Sequence, residues 1–340
     1  MTFTVSVAQR DSAAECREDQ SLLDSLLRAG VWVPNSCNQG TCSTCKVRVL
    51  SGSVDHHGSS EGVLPAQERE EGYALACQAT PCSDVELAAS NEGSQAVHHP
   101  LVDLTATVTG IADVALDTRR IMLTPEEPLE FGAGQSVSLW VPGHEDVHRQ
   151  YSIASVPGDR ELELHIRRDP GGLASDLWAF GSIELGQEVR LSGPLGDFVF
   201  DGEEADGPLL LLGGGTGIAP LKAIALAALA DRPDREVHVY HGVRTVAHLY
   251  DLDFWHGLAE RHPGVRFTPA VSREVHQGAR GYVTERLLED LSSCRGMTGY
   301  LCGSDAFVDG VGQAVRRRRL APRRTFRERF TPVHEAAVAS

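Results

Sequence analysis

Three cysteines, Cys37, Cys42 and Cys45, stand in a C-x4-C-x2-C spacing, with Cys77 well downstream. Three thiolates on one loop and a fourth from a distant strand form the ligand pattern of a plant-type 2Fe–2S cluster. The intervening Asn38, Gln39, Gly40, Thr41, Ser43 and Thr44 are small or polar. Such residues let backbone N–H groups approach the sulfurs and stabilise negative charge on a cluster. Zinc more often takes two close ligand pairs. A Rieske centre needs two histidine ligands, and this loop contains no histidine. Cys16 and Cys82 lack such partners and read as small core residues.

A second constellation lies in LLLLGGGTGIAPLKAIAL, where a buried strand runs into a glycine turn and then a helix. Gly215, Gly217 and Pro220 give G-x-G-x-x-P, with Gly214 and Thr216 in the same turn. Glycines permit the tight turn and close backbone approach, and the helix N-terminus faces a pyrophosphate. Gly171 and Gly172, ahead of a helix predicted to start near Ala174 and Ser175, offer N–H groups to a phosphate, although a lone glycine pair is also an ordinary cap. Cys302 and Gly303 end the last strand of the third module, where ligands of open α/β sheets bind. A buried strand cysteine is the competing reading.

These residues need a scaffold of three modules, over 1–90, 100–205 and 206–330. The stretch AASNEGSQAVHHP (88–100) has no helix or strand period and reads as a linker. The acidic turn DGEEADGP (201–208) marks the second boundary. In the first module Phe3, Val5 and Val7 alternate as a strand, and Leu22, Leu23, Leu26 and Leu27 share one helix face. The second module has short alternating segments (136–141, 161–166, 188–191) at barrel-like intervals. The third alternates buried strands (209–212, 237–240, 265–271, 300–302) with helices, which predicts a parallel sheet covered on both faces.

The chain has 340 residues, 41% hydrophobic and 23% charged, enough to bury large cores and unlike a disordered chain. No apolar run approaches the roughly 18 residues of a membrane span. A formal charge of −16 disfavours nucleic acid and anionic membrane as partners. The N-terminus lacks the basic flank and apolar stretch of a signal peptide, which predicts a cytoplasmic protein. Eight cysteines in that setting point to metal ligation or catalysis rather than disulfides.

The stretch NSCNQGTCSTCKVRVLSG, with LACQA around Cys77, resembles the N-terminal ferredoxin domain of oxygenase reductase components. These belong to the ferredoxin reductase superfamily, of the benzoate and anthranilate dioxygenase reductase type. The resemblance runs through nearly the whole chain. It implies a β-grasp ferredoxin domain, an antiparallel β-barrel flavin domain and a parallel-sheet nucleotide-binding domain. RQYSIAS matches the superfamily's R-x-Y-S motif. By that resemblance Arg149 neutralises a flavin phosphate, Tyr151 lies against the isoalloxazine and Ser152 approaches its reactive side. The strand end His165, Ile166 and Arg167, followed by Gly172, Ala174 and Ser175, also belongs to the implied flavin site. The arginine favours FAD over FMN. GPLGDF (193–198) resembles a family turn expected to serve the fold more than the chemistry.

In YLCGSDAF, Cys302 and Gly303 resemble the C-G motif beside the nicotinamide, which makes Cys302 a candidate catalytic residue with Ser152 and Glu328. TFRERF (325–330) reads as a short strand. Glu328 and Phe330 match an acid-x-aromatic motif in which the acid assists proton traffic and the aromatic covers the flavin. Plant-type relatives end in tyrosine, whereas this chain has phenylalanine and ten more residues, so stacking of Phe330 stays open. Arg244, Ser272, Arg273 and Arg280 could bind the nicotinamide nucleotide. Ser272 and the arginines are similar to NADPH phosphate sites, while this domain order favours NADH. The arginines 316–319, 323 and 324 read as a solvated helix end.

Hydride transfer delivers two electrons together and the cluster accepts one, so a flavin must stand between them. The resemblance implies a flow from NADH to FAD to the cluster and on to a terminal oxygenase of Rieske or di-iron type in aromatic hydrocarbon catabolism. It also implies a monomer. Electron donation to a non-oxygenase partner such as a deoxysugar dehydratase, and a redox-sensing module, are the alternatives.

Overall fold

Val5 and Val7 point inward from the first strand, Thr2–Val7, while Thr2 and Thr4 face solvent, as the two-residue period of a half-buried strand requires. In this computed structural model, residues 1–8, 10, 12–89, 98–144, 146–203, 205–274 and 280–330 are described. The first strand lies between Ala13–Arg17 and Val85–Ala88, and the sheet continues through Lys46–Ser51 to Tyr73–Leu75. Helix Leu22–Arg28 buries its four leucines in the core of this module. Ser21 Oγ accepts the Asp24 N–H at 3.1 Å, an N-cap that fixes where the helix starts. This is the expected β-grasp arrangement. Cys16 is buried as expected, but Cys82 is exposed. The short strand Thr80–Pro81 ends just before it, so Cys82 sits in a turn outside the core.

Six antiparallel strands form the second module in the order His148–Ser152, Ser136–Trp140, Glu188–Leu195, Val102–Ala115, Thr118–Pro125, Leu162–Arg167. A bridge between Ile153 and Leu164 joins the two edges and closes the barrel. Its interior holds Ile121, Leu123, Val137, Leu139, Leu164, Ile166 and Leu191. The 10-residue helix Leu173–Ser182 is a π-helix, and it packs Trp178 into the same core.

The third module is a parallel sheet ordered Val265–Val271, Val237–Val243, Leu209–Gly214, Thr298–Gly303, Thr325–Arg329. Its central strand buries all four leucines, 209–212, between two hydrophobic layers. The strand order reverses on either side of Leu209–Gly214, so the crevice at that strand's carboxyl end is where ligands of such sheets bind. Most of the sequence read as a linker, 90–97, lies outside the described residues, as does the tail 331–340. Among the described residues no helix is long and apolar enough to cross a membrane.

Candidate redox site

Cys37, Cys42 and Cys45 lie in one loop, and Cys77 comes from the turn just after strand Tyr73–Leu75 rather than from a strand itself. The loop folds back through left-handed residues Asn38, Gly40 and Ser43. At Gly40 (φ +77°) a Cβ would stand 2.9 Å from Gln78 Cγ, so both backbone and space require glycine there. The Gln39 and Thr41 N–H groups each point at Cys37 Sγ from 3.4 Å. The Gln78 amide lies 3.7 Å from Cys77 Sγ, and Thr44 Oγ1 lies 3.3 Å from Cys42 Sγ. Contact with Cys42, helped by these N–H donors, pulls the Cys37 thiol down to about 5. The Cys37 and Cys42 thiols meet, as do those of Cys45 and Cys77, and two such pairs with N–H and O–H donors beside them fit a 2Fe–2S cluster, whose bridging and ligand sulfurs carry negative charge.

At the interface of barrel and nucleotide module, the three candidate catalytic residues converge. Ser152 Oγ lies 3.5 Å and Cys302 Sγ 3.8 Å from the same oxygen, Glu328 Oε2. Strand Thr325–Arg329 pairs with Thr298–Gly303 so that Glu328 stands directly beside Cys302. Burial raises the Glu328 carboxyl to about 8, against the pull of Ser152 and Cys302. Burial and the neighbouring Glu328 also push the Cys302 thiol well up. A neutral thiol, a hydroxyl and a carboxylic acid holding its proton at neutral pH form a low-charge meeting place for two ring systems. Phe330 donates its N–H to Gly303 O at 2.8 Å, so the acid-x-aromatic segment is tied to the C-G segment.

Tyr151 and Arg149 precede Ser152 on the same strand. Burial raises the Tyr151 hydroxyl, which therefore stays protonated. Arg149 Nη1 donates to the His148 carbonyl at 2.8 Å. The N–H groups of Gly171 and Gly172, expected to be free, are both taken: the first by Asp176 Oδ2 at 2.7 Å, the second by Asp169 O at 2.9 Å. A tight turn consumes them before the helix begins. Ser175 Oγ is likewise engaged, accepting from Asp169 N–H at 3.1 Å. The unbonded first-turn amides of the helix therefore belong to Leu173, Ala174 and Ser175.

The dinucleotide turn is shaped by contacts that exclude side chains. A Cβ on Gly217 would stand 2.3 Å from Cys302 O, and one on Gly214 would stand 2.7 Å from the Phe307 ring. Gly215 is left-handed (φ +57°) with nothing within 4 Å of its missing Cβ, an open side by which a pyrophosphate can approach the backbone. Thr216 is buried, and Pro220 lies in the first turn of helix Ile218–Asp231. At the neighbouring strand ends Arg244, Ser272 and Arg273 gather through Ser272 N–H to Val243 O and Arg273 N–H to Arg244 O. Arg244, Arg273 and Arg280 are exposed.

His165 is buried with both ring nitrogens engaged. Its Nε2 meets Glu163 Oε1 at 2.7 Å and its Nδ1 meets the Tyr250 hydroxyl at 3.1 Å. Ile166 is buried in the barrel core and Arg167 is exposed, so of these three only the Arg167 side chain, with the main-chain groups, remains available to a ligand. The Glu163 neighbourhood is a buried charged seam that sequence reasoning missed. Lys222 Nζ bonds both Glu163 oxygens at 2.8 Å, and Arg120 pairs with Glu163 at 2.9 Å and with Asp251. Burial opposes ionisation of Glu163, yet His165 and Lys222 hold it below the usual carboxylate range. The seam joins barrel strands to the helix that follows the glycine turn. Only the pairing of Glu163 with His165 at a two-residue spacing hinted at it in the sequence.

Three family descriptions match in chain order: "2Fe-2S iron-sulfur cluster binding domain" over residues 5–82, "Oxidoreductase FAD-binding domain" over 105–200 and "Oxidoreductase NAD-binding domain" over 211–313. The chain is 52% identical to the reductase subunit of an aromatic O-demethylase from Amycolatopsis sp., over 98% of this chain and 99% of that one. It is 32% identical to the reductase component of a phenol 2-monooxygenase from Pseudomonas sp., over 100% and 98%. The crystal structure of an Amycolatopsis cytochrome P-450 reductase superposes with a TM-score of 0.93 at 52% identity, covering 97% and 99%. The chain belongs to the NAD(P)H-dependent flavin and iron–sulfur reductases that deliver electrons to oxygenases, with a 2Fe–2S cluster, FAD and a nicotinamide nucleotide as its redox groups.

Proposed function

We propose that the protein oxidises NADH in the cytoplasm and, as a single chain, passes the electrons one at a time to a cytochrome P-450 that attacks an aromatic substrate. The convergence of Ser152, Cys302 and Glu328 on one buried oxygen position carries the hydride half of this reading. The 52% identity to a relative described as an aromatic O-demethylase reductase subunit, and in its crystal structure as a cytochrome P-450 reductase, supports the acceptor. On that support we favour a cytochrome P-450 acceptor over the Rieske and di-iron types. Modules 1–90, 100–205 and 206–330 carry cluster, flavin and nucleotide respectively.

The roles follow from chemistry. Cys37, Cys42, Cys45 and Cys77 would ligate the cluster. Arg149, Tyr151 and Ser152, the backbone of 165 and 166 with Arg167, and the helix start at Gly172, Ala174 and Ser175 would hold FAD. Gly214, Gly215, Thr216, Gly217 and Pro220 would cradle the nucleotide pyrophosphate, and Cys302 with Gly303 would face the nicotinamide. Phe330 would flank the flavin. When bound, the flavin accepts an electron pair and releases single electrons; the protein orients the reactants, excludes water and keeps a proton on Glu328. Arg244, Ser272 and Arg273 would bind the far ribose. There the Glu274 carboxylate accepts the Val246 N–H at 2.9 Å and Ser272 Oγ is spent on the Val243 carbonyl at 3.3 Å. A carboxylate beside the ribose repels a phosphate, which supports NADH over NADPH.

The test mixes purified protein with a carbon-monoxide-saturated bacterial cytochrome P-450 O-demethylase. NADH should produce the reduced haem–CO band much faster than NADPH. Equal rates would overturn the nucleotide preference, and no band with either, despite reduction of a dye acceptor, would overturn the acceptor.

Glu328 makes a pH-dependent signature. Its carboxyl is raised in the folded state, so the native protein binds the extra proton between the usual carboxylate range and about 8. Its contribution to stability is present at acid pH and is lost as pH rises through that window. Glu328→Gln should flatten the fall in thermal midpoint between about pH 5 and 8 and remove the break in flavin-reduction rate near the raised pKa. An unchanged slope and an unchanged break would refute this assignment.

A further inference from the structure

A second seam, between ferredoxin module and barrel, has no part in the roles above. Gln150 stands between Arg149 and Tyr151, and on a strand its side chain leaves by the opposite face. Its Nε2 donates to the Ser36 carbonyl at 2.8 Å and to Ser136 Oγ at 2.5 Å. Ser36 immediately precedes the first cluster cysteine. Asn35, one residue further back, is wholly buried. Its Oδ1 accepts the Gly196 N–H at 2.8 Å, its N–H donates to Asp197 Oδ2 at 2.9 Å, and its carbonyl accepts the Asp197 N–H at 2.9 Å. The other Asp197 oxygen takes the Trp32 indole N–H at 2.8 Å. Segment 32–36 is thus bonded to the barrel turn at 193–198 and, through one amide, to the R-x-Y-S strand. Gln150 Oε1 is buried without a partner, so the amide is held through its nitrogen, while the paired Trp32, Asn35 and Asp197 groups hold a single geometry.

We propose that Gln150 is a positioning residue for the internal electron step: it holds the cluster loop against the flavin strand, with the Trp32–Asp197–Asn35 clasp as anchor, so that electrons cross within this closed arrangement. This rests on the electron path proposed above. Each NADH delivers two electrons with its hydride. Two single-electron crossings to the cluster, each followed by transfer to the acceptor, discharge them, and the remaining proton leaves to solvent. Neither the cluster ligands nor the hydride site touches the Gln150 amide directly, so its removal separates the two halves of the path.

The experiment uses intact, cofactor-loaded Gln150→Leu, with Trp32→Phe as a second variant that keeps the ring and removes the bond to Asp197. In stopped flow with NADH, flavin reduction should stay within about twofold of the parent while cluster reduction slows by about tenfold or more, as expected when the closed arrangement is populated only about a tenth of the time. In the resting proteins, without NADH, amide hydrogen exchange across 36–45 should rise at least about fivefold as local opening becomes easier. Unchanged cluster reduction with unchanged exchange would overturn the proposal, as would equal slowing of both steps. If the parent protein is not reduced by NADH, the electron path fails instead, and the exchange measurement still decides the seam: faster exchange in the variants supports it and unchanged exchange overturns it.

Discussion

Replacing Cys45 by alanine is expected to abolish electron delivery to the terminal acceptor while leaving the flavin reducible by NADH. Cys45 is the most buried of the four cysteines proposed as cluster ligands, at 3% exposure, and it abuts the strand Lys46–Ser51 that anchors the loop. Its backbone carbonyl accepts the Ala76 N–H at 3.0 Å, which ties this end of the loop to the residue beside Cys77. With one thiolate gone from a four-cysteine site the cluster should be lost or unstable, and acceptor reduction should fall at least about 100-fold. The residues proposed for the hydride site, Ser152, Cys302 and Glu328, lie far along the chain from this loop, so the flavin-reduction rate should stay within about twofold. Absorbance, iron content and stopped flow check this together. Cys82→Ala, at an exposed cysteine outside the loop, is the control and should change nothing. Loss of flavin reduction in Cys45→Ala would mean the modules do not divide the work as argued.

Lys222→Met should be the most destabilising single change outside the cofactor sites. Lys222 sits on helix Ile218–Asp231, right after the glycine turn, and bonds both oxygens of the barrel residue Glu163. It also lies 3.6 Å from Asp251, whose backbone is left-handed (φ 57°) at the start of helix Leu252–Arg261. Removing the ammonium leaves two buried carboxylates to Arg120 and the single His165 hydrogen bond to Glu163, and breaking one side of a buried pair costs about 3–5 kcal/mol. That corresponds to a fall of roughly 6–20 °C in the thermal midpoint. Adding Glu163→Gln should recover at least about half of the loss, because the paired charges are then absent together. A single-variant cost below about 1 kcal/mol would show the seam to be as weak as a surface pair.

The sequence spoke most clearly where function constrains local spacing. The cysteine loop, the glycine turn and the C-G segment are each contiguous, and their chemistry dictates residue types a few positions apart. Ser152, Cys302 and Glu328 come from distant points in the chain, and family resemblance rather than pattern brought them together; strand pairing then set Glu328 opposite Cys302. What stayed hidden depends on tertiary approach. Lys222 looks like any helix lysine, Gln150 like a polar residue on a strand, and Asp197 like a turn acid until Trp32 and Asn35 meet it. The N–H groups of Gly171 and Gly172 are not free as expected because Asp176 and Asp169 close the turn first. Cys82 was misread because composition cannot tell a turn from the core it follows.

Anaerobic titration with NADH, followed by absorbance and EPR on the same sample, addresses the central claim most directly. A chain holding one flavin and one 2Fe–2S cluster in series should take up about three electrons, hence about 1.5 equivalents of NADH, with bleaching of the flavin and appearance of a reduced-cluster EPR signal. Uptake that stops at about two electrons, with an iron signal that never appears, would contradict a path running from nicotinamide through flavin to the cluster.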